Sequence, residues 1–356
     1  MQSICTKKTT IPSTSSILFQ IANKELTLKS TDLELSLQYS CPLKESSVEQ
    51  AQFLVPGKKI FDVVKEMSDD IECTFDDSYL TLKSGKKINI SFHIKDAQEF
   101  PPLPERIENL MQLDASFLSN VLSKVSFLIP QNNATLSLNG LFLEISPQEL
   151  KLTTTDGHCL AQVTSDKYTL EAEKKWLIPR RAVFELKRIL ENADAPVIFL
   201  GICDNQLVFS SNNFNLFTKL FADEFPEYKA ILQHDSFLPA TINRADFVKT
   251  LRRSACLLSG QFLATNFKFS KQNLKVSLQN SDIGNLNETL PMSDFESENL
   301  ELRFYSPYLL QGLQSFTEEN DLKCFLKSNT KPIIFKSDNE SYHLTYLVMP
   351  VSTNNV

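Results

Sequence analysis

The sequence predicts an α+β protein made of three copies of one domain, each built from antiparallel strands and amphipathic helices. The first observation is a repeat, because residues 53–64 align with residues 176–187 at an offset of 123, and with residues 302–313 a further 126 residues on. The second is that helical periodicity and strand alternation succeed each other within each copy. A repeat of this length sets the architecture before any local assignment does.

The aligned segments predict a strand that runs directly into a helix. Each begins with a short apolar run and continues with apolar positions at helical spacing. In two of them Pro56 and Pro179 stand at the junction, where the missing amide proton of proline costs nothing. We therefore expect three equivalent strand-to-helix junctions.

A second helix repeats at an offset of about 130 residues. Residues 113–125 place Leu113, Phe117, Val121 and Val125 on one helical stripe, and residues 242–255 match them. Alternating apolar and polar runs bounded by Asn, Asp, Ser and Gly turns predict the strands of antiparallel meanders. These runs are residues 79–83, 135–145, 150–162, 205–210, 267–269 and 274–279.

Proline-bearing linkers divide the repeats. The segments 100–105 and 233–239 are predicted to be connections, since proline stiffens a connection and needs no ladder partner. The predicted domains are residues 1–108, 109–236 and 237–356. In the first domain no amphipathic helix precedes residues 17–22, so its first strand and helix are expected to be missing.

Composition excludes several classes of function. The chain has 356 residues but only eight glycines, and none lie closer together than Gly140 and Gly157, so no glycine-rich loop for a nucleotide is present. The four histidines are far apart and no Cys-x-x-Cys occurs, which leaves no local metal motif. We expect neither a metal nor another cofactor.

The location predicted from the sequence is the cytoplasm, with no membrane partner. The longest apolar stretch, residues 195–203, is half of the roughly 18 residues that a spanning helix needs. The seven cysteines are an odd, widely spaced set typical of reduced thiols.

Positive charge is concentrated in the predicted helices, although the formal net charge is −7. Segments 57–67, 179–190 and 244–256 carry +1, +3 and +3, while 114–125 is neutral, so the rest of the chain carries −14. Lysine and arginine on such helices suit the phosphates of a nucleic acid, which they bind without reading sequence. Solvated amphipathic faces are the other interpretation.

Short motifs spread over nearly the whole chain resemble those of the bacterial β sliding clamps, the processivity subunits of the replicative DNA polymerase. The order of these motifs on a threefold repeat makes the resemblance specific. They are Thr31-Asp-Leu-Glu34, Val55-Pro56, Glu99-Phe-Pro-Pro-Leu103, Leu138-Asn-Gly140, Thr155-Asp-Gly-His158, Ile178-Pro-Arg180, Phe225-Pro-Glu-Tyr228 and Tyr346-Leu-Val-Met-Pro350.

The resemblance implies a DNA-clamp fold of three domains. In the family, two protomers close head to tail into a ring around duplex DNA, with helices lining the hole and sheets outside. The implied function is to tether the replicative polymerase and other DNA-processing proteins without catalysis, with the clamp loader as a further partner. The DNA-facing residues implied by this placement are Lys8, Lys58, Lys59, Arg180, Arg181, Lys187, Arg188, Lys249, Arg252 and Arg253.

The resemblance also implies a dimer interface and a groove for linear peptide motifs. The interface pairs Phe100 and Leu103 with Leu257 and Leu258, although these side chains are equally typical of a core. Cys159 and Ala230 stand where the family commonly has arginines, so acidic residues on a peptide are expected to help binding little. The implied groove residues are Leu138, Thr155, Gly157, His158, Cys159, Leu160, Pro226, Ala230, Ile231, Pro332, Leu347, Val348, Met349 and Pro350.

Other interpretations of the same residues stay open. Residues 155–158 are typical of a hairpin turn, and Asp156 with His158 could form a catalytic pair, although no Gly-x-Ser-x-Gly nucleophile motif accompanies them. Residues 346–350 could be an ordinary strand. A divergent clamp that acts as a protein-interaction scaffold without ring closure is the alternative function. The uncharged terminal residues 351–356 also differ from the family, which usually ends on a basic residue.

Overall fold

The strand-to-helix junctions predicted from the repeat are present in the computed structural model. It describes residues 1–85, 88–192, 195–258, 264–297, 299–317 and 319–351. The described α-helices are α1 (Gln2–Cys5), α2 (Gly57–Val64), α3 (Ala115–Val125), α4 (Arg180–Asn192), α5 (Arg244–Cys256) and α6 (Ser306–Leu313).

The strands fall into three groups along the chain. The first group is β1 (Ser16–Ala22), β2 (Glu25–Thr31), β3 (Leu35–Pro42), β4 (Gln50–Pro56), β5 (Ile71–Phe75), β6 (Tyr79–Ser84) and β7 (Ile88–His93). The second is β8 (Glu108–Asp114), β9 (Gly140–Ile145), β10 (Leu150–Thr155), β11 (Cys159–Ser165), β12 (Lys174–Pro179), β13 (Val197–Cys203), β14 (Gln206–Ser210) and β15 (Phe214–Lys219). The third is β16 (Leu238–Asn243), β17 (Thr265–Ser270), β18 (Asn273–Asn280), β19 (Gly284–Ser293), β20 (Leu300–Phe304), β21 (Asp321–Leu326), β22 (Ile333–Asp338) and β23 (His343–Val348).

The chain divides into two compact units. Unit one consists of Met1–Ala115 and Asn192–Leu220, and unit two of Ser116–Glu191 and Phe221–Val356. The second group of strands is therefore shared, with β8 and β13 to β15 in unit one and β9 to β12 in unit two.

Unit one contains an eight-stranded sheet and a three-stranded sheet. The larger has the order β4-β1-β2-β3-β15-β14-β13-β8, and the smaller the order β5-β6-β7. The larger is continuous because β3 pairs antiparallel with β15, from Leu35 opposite Thr218 to Tyr39 opposite Phe214. Phe19 and Phe53 stack at 5.7 Å within its core, beside Val55.

Unit two contains one twelve-stranded sheet. Its order is β12-β9-β10-β11-β23-β22-β21-β16-β19-β18-β17-β20. Here β11 pairs antiparallel with β23, from Cys159 opposite Val348 to Thr164 opposite His343. One face of the sheet meets helices, since Thr154 donates a hydrogen bond to the Val125 carbonyl at the end of α3 and Tyr346 to the Tyr308 carbonyl of α6.

Local chemistry explains where the helices begin. The Asn243 side chain accepts a hydrogen bond from the Asp246 N–H at 3.2 Å, which caps α5. Pro56 and Pro179 each end a strand immediately before a helix, as the sequence predicts.

Some predicted elements are wrong in extent. The run 135–145 opens with a 3₁₀ turn at Leu136–Leu138 and becomes strand only at Gly140. The run 150–162 is two strands, β10 and β11. In the 113–125 segment the buried stripe of α3 is Leu118, Val121, Leu122 and Val125, because Leu113 belongs to β8.

The first domain retains part of what was expected to be missing. Gln2–Cys5 forms one helical turn with Ile4 and Cys5 buried, so the expected lack of a first helix is wrong. In the described residues the sheet β5-β6-β7 has three strands, where the equivalent groups β8, β13, β14, β15 and β16, β21, β22, β23 have four. Of the helices described, none has the length and apolar character needed to cross a membrane.

Candidate peptide groove and nucleic-acid surface

An apolar floor lies on the face of the unit-two sheet opposite the helices. Side chains alternate along β11 and β23, so the directly paired Leu160 and Leu347 point to this face together. They form a buried cluster with Ile334 and Tyr228. The half-buried side chains that pack around the cluster are Phe142, Phe225, Leu232, Phe237, Phe325 and Met349.

Tyr228 anchors the chain segment that lies along one side of this apolar floor. Its hydroxyl donates a hydrogen bond to the carboxylate of Glu144, which is only 6% exposed. Burial, with the Glu144 hydrogen bond second, raises the pKa of Tyr228 above its usual value. Phe225 stacks on Phe142 at 4.8 Å. The 3₁₀ turn Lys229–Leu232 is thereby held beside the floor.

The hairpin between β10 and β11 joins the rim of the floor to β23. One Asp156 carboxylate oxygen accepts the backbone N–H groups of His158 at 2.8 Å and Cys159 at 2.7 Å. The His158 carbonyl accepts the Met349 N–H at 2.9 Å, and its ring stacks on Tyr308 at 5.7 Å. The predicted turn is therefore confirmed, and its two titratable side chains are engaged in structural contacts rather than with each other.

Most of the predicted groove residues lie at this site. Ala230, Ile231, Pro332 and Met349 line an open cleft of about 450 Å³. Leu138 is buried at the hairpin, 3.9 Å from where a Cβ on Gly157 would lie. Thr155 donates to the Cys159 carbonyl at 2.6 Å, Pro226 is exposed on the Tyr228 segment, and Pro350 follows β23 half-buried.

Two predicted groove residues point away from it. Cys159 and Val348 are paired on neighbouring strands and are 1% and 0% exposed. Alternation places them on the helix-facing side of the sheet, opposite to Leu160 and Leu347. Burial, with the Asp156 charge second, raises the pKa of the Cys159 thiol to about 12. The prediction that these two side chains line the groove is wrong.

The aromatic walls of the site and two of its lysines were not predicted from the sequence. Phe225 and Tyr228 belong to a motif that was used only for the resemblance, and Phe237 lies in a segment assigned as a linker. Lys327 and Lys331 line the same cleft from the β21–β22 connection. Their only sequence signal is a polar turn between two apolar strands.

The basic residues of α4 are largely engaged with the protein. Arg180 donates to the Ile129 carbonyl, and its guanidinium lies 4.2 Å from the centroid of the Phe184 ring. Lys187 donates to the Ser126 hydroxyl at 3.1 Å, and Arg188 pairs with Glu185 at 2.7 Å. Burial lowers the pKa of Arg181 and of Lys187, and nearby carboxylates oppose this.

The basic residues of α5 and α2 are more accessible. On α5, Arg253 is ion-paired with Glu288, and the Lys249 ammonium lies 4.0 Å from Asp246. In the described part of the chain, Arg252 has no hydrogen-bond or ion-pair partner. The same holds for the exposed Lys58 and Lys59 of α2 and for Lys8.

The residues predicted for the dimer interface differ in how deeply they are buried. Phe100 is 8% exposed and packs with Leu18 and Leu54, so it is core rather than free surface. Leu103 packs half-buried against the same cluster. Leu257 and Leu258 follow α5 half-buried, and the Leu257 carbonyl accepts the Asn280 amide at 2.7 Å.

No group of three or more His, Cys, Asp or Glu side chains in the described ranges is arranged to hold a metal ion.

Antiparallel sheets built on a repeated strand-to-helix unit, with helices on one face of the unit-two sheet and an apolar groove on its other face, define a three-domain DNA clamp. Family models for the DNA polymerase III beta subunit match in order: the N-terminal domain over residues 1–104, the central domain over 112–227 and the C-terminal domain over 230–352. The chain belongs to this family, the bacterial β sliding clamps of DNA replication. The domain limits predicted from the linkers, after residues 108 and 236, stay predictions.

Known relatives extend over almost the whole chain. The beta sliding clamp of Pseudomonas putida is 27% identical over 351 residues, which is 97% of this chain and 94% of the relative. A solved sliding clamp of Bartonella birtlesii, bound to griselimycin, has 25% identity and a TM-score of 0.89, covering 99% of this chain and 95% of that one. The DNA polymerase III beta subunit of Thermotoga maritima shares the fold at a TM-score of 0.88 and 23% identity, over 99% and 94%.

Proposed function

We propose that two copies of this chain close head to tail around duplex DNA, and that the ring tethers DNA polymerase III and other proteins through the groove. The observation that carries the proposal is a rule repeated in the sheets. The third strand of one half-domain pairs with the last strand of another, as β3 does with β15 and β11 does with β23.

One pair required by that rule is not formed within the part of the chain that the structure describes. The third strand of the last domain is β19, which along Gly284–Pro291 pairs only with β18 in the described residues. The last strand of the first domain is β7, for which the described ranges show pairing with β6 alone. The rule therefore pairs β19 of one protomer with β7 of its partner, and the same pairing repeated once closes a two-membered ring.

Exposed apolar side chains mark both free edges. Ile283 precedes β19 and is 50% exposed, and Ile88 opens β7 at 38%. Free edges with apolar side chains invite pairing with another chain. This assignment moves the interface away from Phe100, which is core.

The mass of the protein in solution tests closure. We expect a dimer by light scattering, and the Ile283→Asp variant should raise the dissociation constant by roughly ten-fold or more, because a carboxylate would be desolvated at the interface. Leu136→Asp is the matched control, since Leu136 is 56% exposed and lies in the 3₁₀ turn Leu136–Leu138, which belongs to neither edge strand. A monomeric wild type that still binds partner peptides would favour the scaffold alternative.

Contact with DNA is proposed to be electrostatic and independent of sequence. Lys58, Lys59 and Arg252 are the leading phosphate ligands, because their charges are exposed and unpaired within the described ranges. Arg180 and Arg253 are assigned mainly to holding the fold, because their guanidinium groups already have protein partners. Such binding weakens as salt rises, since neutralised phosphates release counterions.

The groove is proposed to take an extended peptide with apolar anchors. Each well-buried leucine contributes about 1.5–3 kcal/mol before ordering costs, so two anchors correspond to roughly micromolar affinity. A peptide with a glutamine and a leucine-rich end, as in the family, is the probe. Met349→Ala should weaken its binding at least about five-fold, since Met349 borders both the floor and the cleft.

A matched methionine controls that experiment. Met111 is also half-buried but lies on β8 in unit one, so Met111→Ala should leave the peptide affinity unchanged. Unchanged affinity in Met349→Ala would place the partner site elsewhere.

A further inference from the structure

The cleft beside Met349 carries positive charge on one wall. Phe237, Pro332 and Met349 form its apolar side, whereas Lys327 and Lys331 line it from the β21–β22 connection. Among the described residues that line it, Asp235 is the one carboxylate. An apolar surface framed by cations selects for an anionic group next to an apolar one.

Both lysines are available to a ligand. Lys327 donates to the Ser236 hydroxyl at 2.6 Å, and its ammonium lies 5.9 Å from the centroid of the Phe237 ring. These contacts hold it over the cleft and leave two of its three N–H donors for another acceptor. Lys331 is exposed, and its ammonium has no ion-pair partner in the part of the chain described.

We propose that this cleft reads an acidic residue beside the apolar anchor of a partner peptide, with Lys327 and Lys331 as the specificity-determining side chains. The inference rests on the proposed peptide function of the groove. It replaces the expectation that acidic residues help little: Ala230 leaves the rim without an arginine and Cys159 is buried on the other face of the sheet, but two lysines supply positive charge at the cleft. Asp235 also lines the cleft, and it repels a carboxylate placed directly beside it.

The expected size of the preference is modest. Exposed ion pairs are weak individually, so two of them should strengthen binding about three- to ten-fold at low salt. The Debye length is only about 3 Å at 1 M ionic strength, so the preference for the acidic peptide should vanish at high salt.

Two peptides with the same apolar anchors test the proposal by fluorescence anisotropy. One carries aspartate and the other asparagine next to the anchor, and each is titrated against wild type and the Lys327→Gln/Lys331→Gln double variant. We expect the aspartate peptide to bind about three- to ten-fold more tightly to wild type, and both peptides to bind the double variant equally. Lys323→Gln, an exposed lysine on β21 outside the cleft, should retain the preference.

The possible failures are distinguishable. Equal binding of both peptides to wild type, with affinity still sensitive to Met349→Ala, would overturn the charge preference and leave the groove in place. A preference that persists in the double variant would overturn the role of the two lysines. Failure of both peptides to bind wild type would overturn the proposed groove itself and the inference with it.

Discussion

Replacing Gly312 by alanine should destabilise the protein, although alanine is the better helix former. Gly312 lies in α6 against the ring of Tyr346 from β23. A Cβ at this position would lie 1.9 to 2.3 Å from three carbons of that ring, whereas carbon atoms in contact are about 3.5–4.0 Å apart. The ring cannot swing away freely, because it is buried and its hydroxyl donates to the Tyr308 carbonyl at 2.7 Å.

The opposing contributions have known sizes. Alanine gains about 0.8–1.0 kcal/mol over glycine in a helix interior. Overpacking a core costs about 1–3 kcal/mol or more, and losing the Tyr346 hydrogen bond adds about 1 kcal/mol. The balance for Gly312→Ala is a loss of about 1–3 kcal/mol in the free energy of unfolding.

Urea denaturation of a double-mutant cycle measures this effect. In a Tyr346→Leu background the ring is absent, so the cost of Gly312→Ala should disappear or become a small gain. An unchanged or higher stability of Gly312→Ala in the wild-type background would refute the reasoning. An equal cost in both backgrounds would show that Tyr346 is not the obstacle.

Three further substitutions are expected to change the stability of the protein or its binding to DNA. Tyr228→Phe should lower the free energy of unfolding, measured by urea denaturation, by about 1–3 kcal/mol, because the variant leaves the buried Glu144 carboxylate without its hydroxyl donor. Unchanged stability would contradict the role of this hydrogen bond. Arg252→Gln should reduce the slope of log affinity for linear duplex DNA against log salt by about 1. Arg253→Gln should reduce this slope much less, since Glu288 already pairs with Arg253. Equal effects of the two variants would contradict the assignment of Arg252 as the phosphate ligand. Hydrogen bonds from the Ser78 and Tyr79 N–H groups lower the pKa of Asp76 below its usual 3.8, so the ionised carboxylate stabilises the fold above pH 3.8 and this stabilisation is lost as the pH falls below that value. In an acid titration followed by circular dichroism, Asp76→Asn should therefore lose less stability than wild type over this range. Identical titration curves would contradict the role of Asp76.

The strand-to-helix junctions could be predicted because their chemistry is local. Proline at residues 56 and 179 fixes its own backbone and lacks an N–H, so it marks a strand end and a helix start whatever the surroundings. The threefold repeat then extended the assignment to the third copy, where Tyr305 stands at the position of Pro56 and Pro179 and Pro307 lies in the first turn of the helix.

The orientation of Cys159 and Val348 could not be predicted in the same way. Leu344, Tyr346, Leu347 and Val348 are all buried, so β23 is apolar on both faces and its sequence does not alternate. A strand buried on both sides carries no periodic signal for which side chains share a face. The register of β23 with β11 decides which of its side chains face the groove.

The groove walls were missed because they come from distant parts of the sequence. Phe142 meets Phe225 only once the Tyr228 segment has folded over the sheet, and Lys327 meets Ser236 only once β21 has paired with β16. Local pattern cannot supply such contacts. The basic residues of the helices were found from charge alone, but charge did not distinguish Arg252 from Arg253, whose partner Glu288 lies 35 residues away.

Retention on circular and linear DNA tests encirclement most directly. The protein is loaded onto nicked circular duplex by the clamp loader, and half of the sample is then cut once with a restriction enzyme. Because a closed ring can leave only over an end, we expect long retention on the circle and rapid loss after cutting, at the same salt and DNA length. Equal retention on circular and cut DNA would contradict encirclement, even if binding itself were strong.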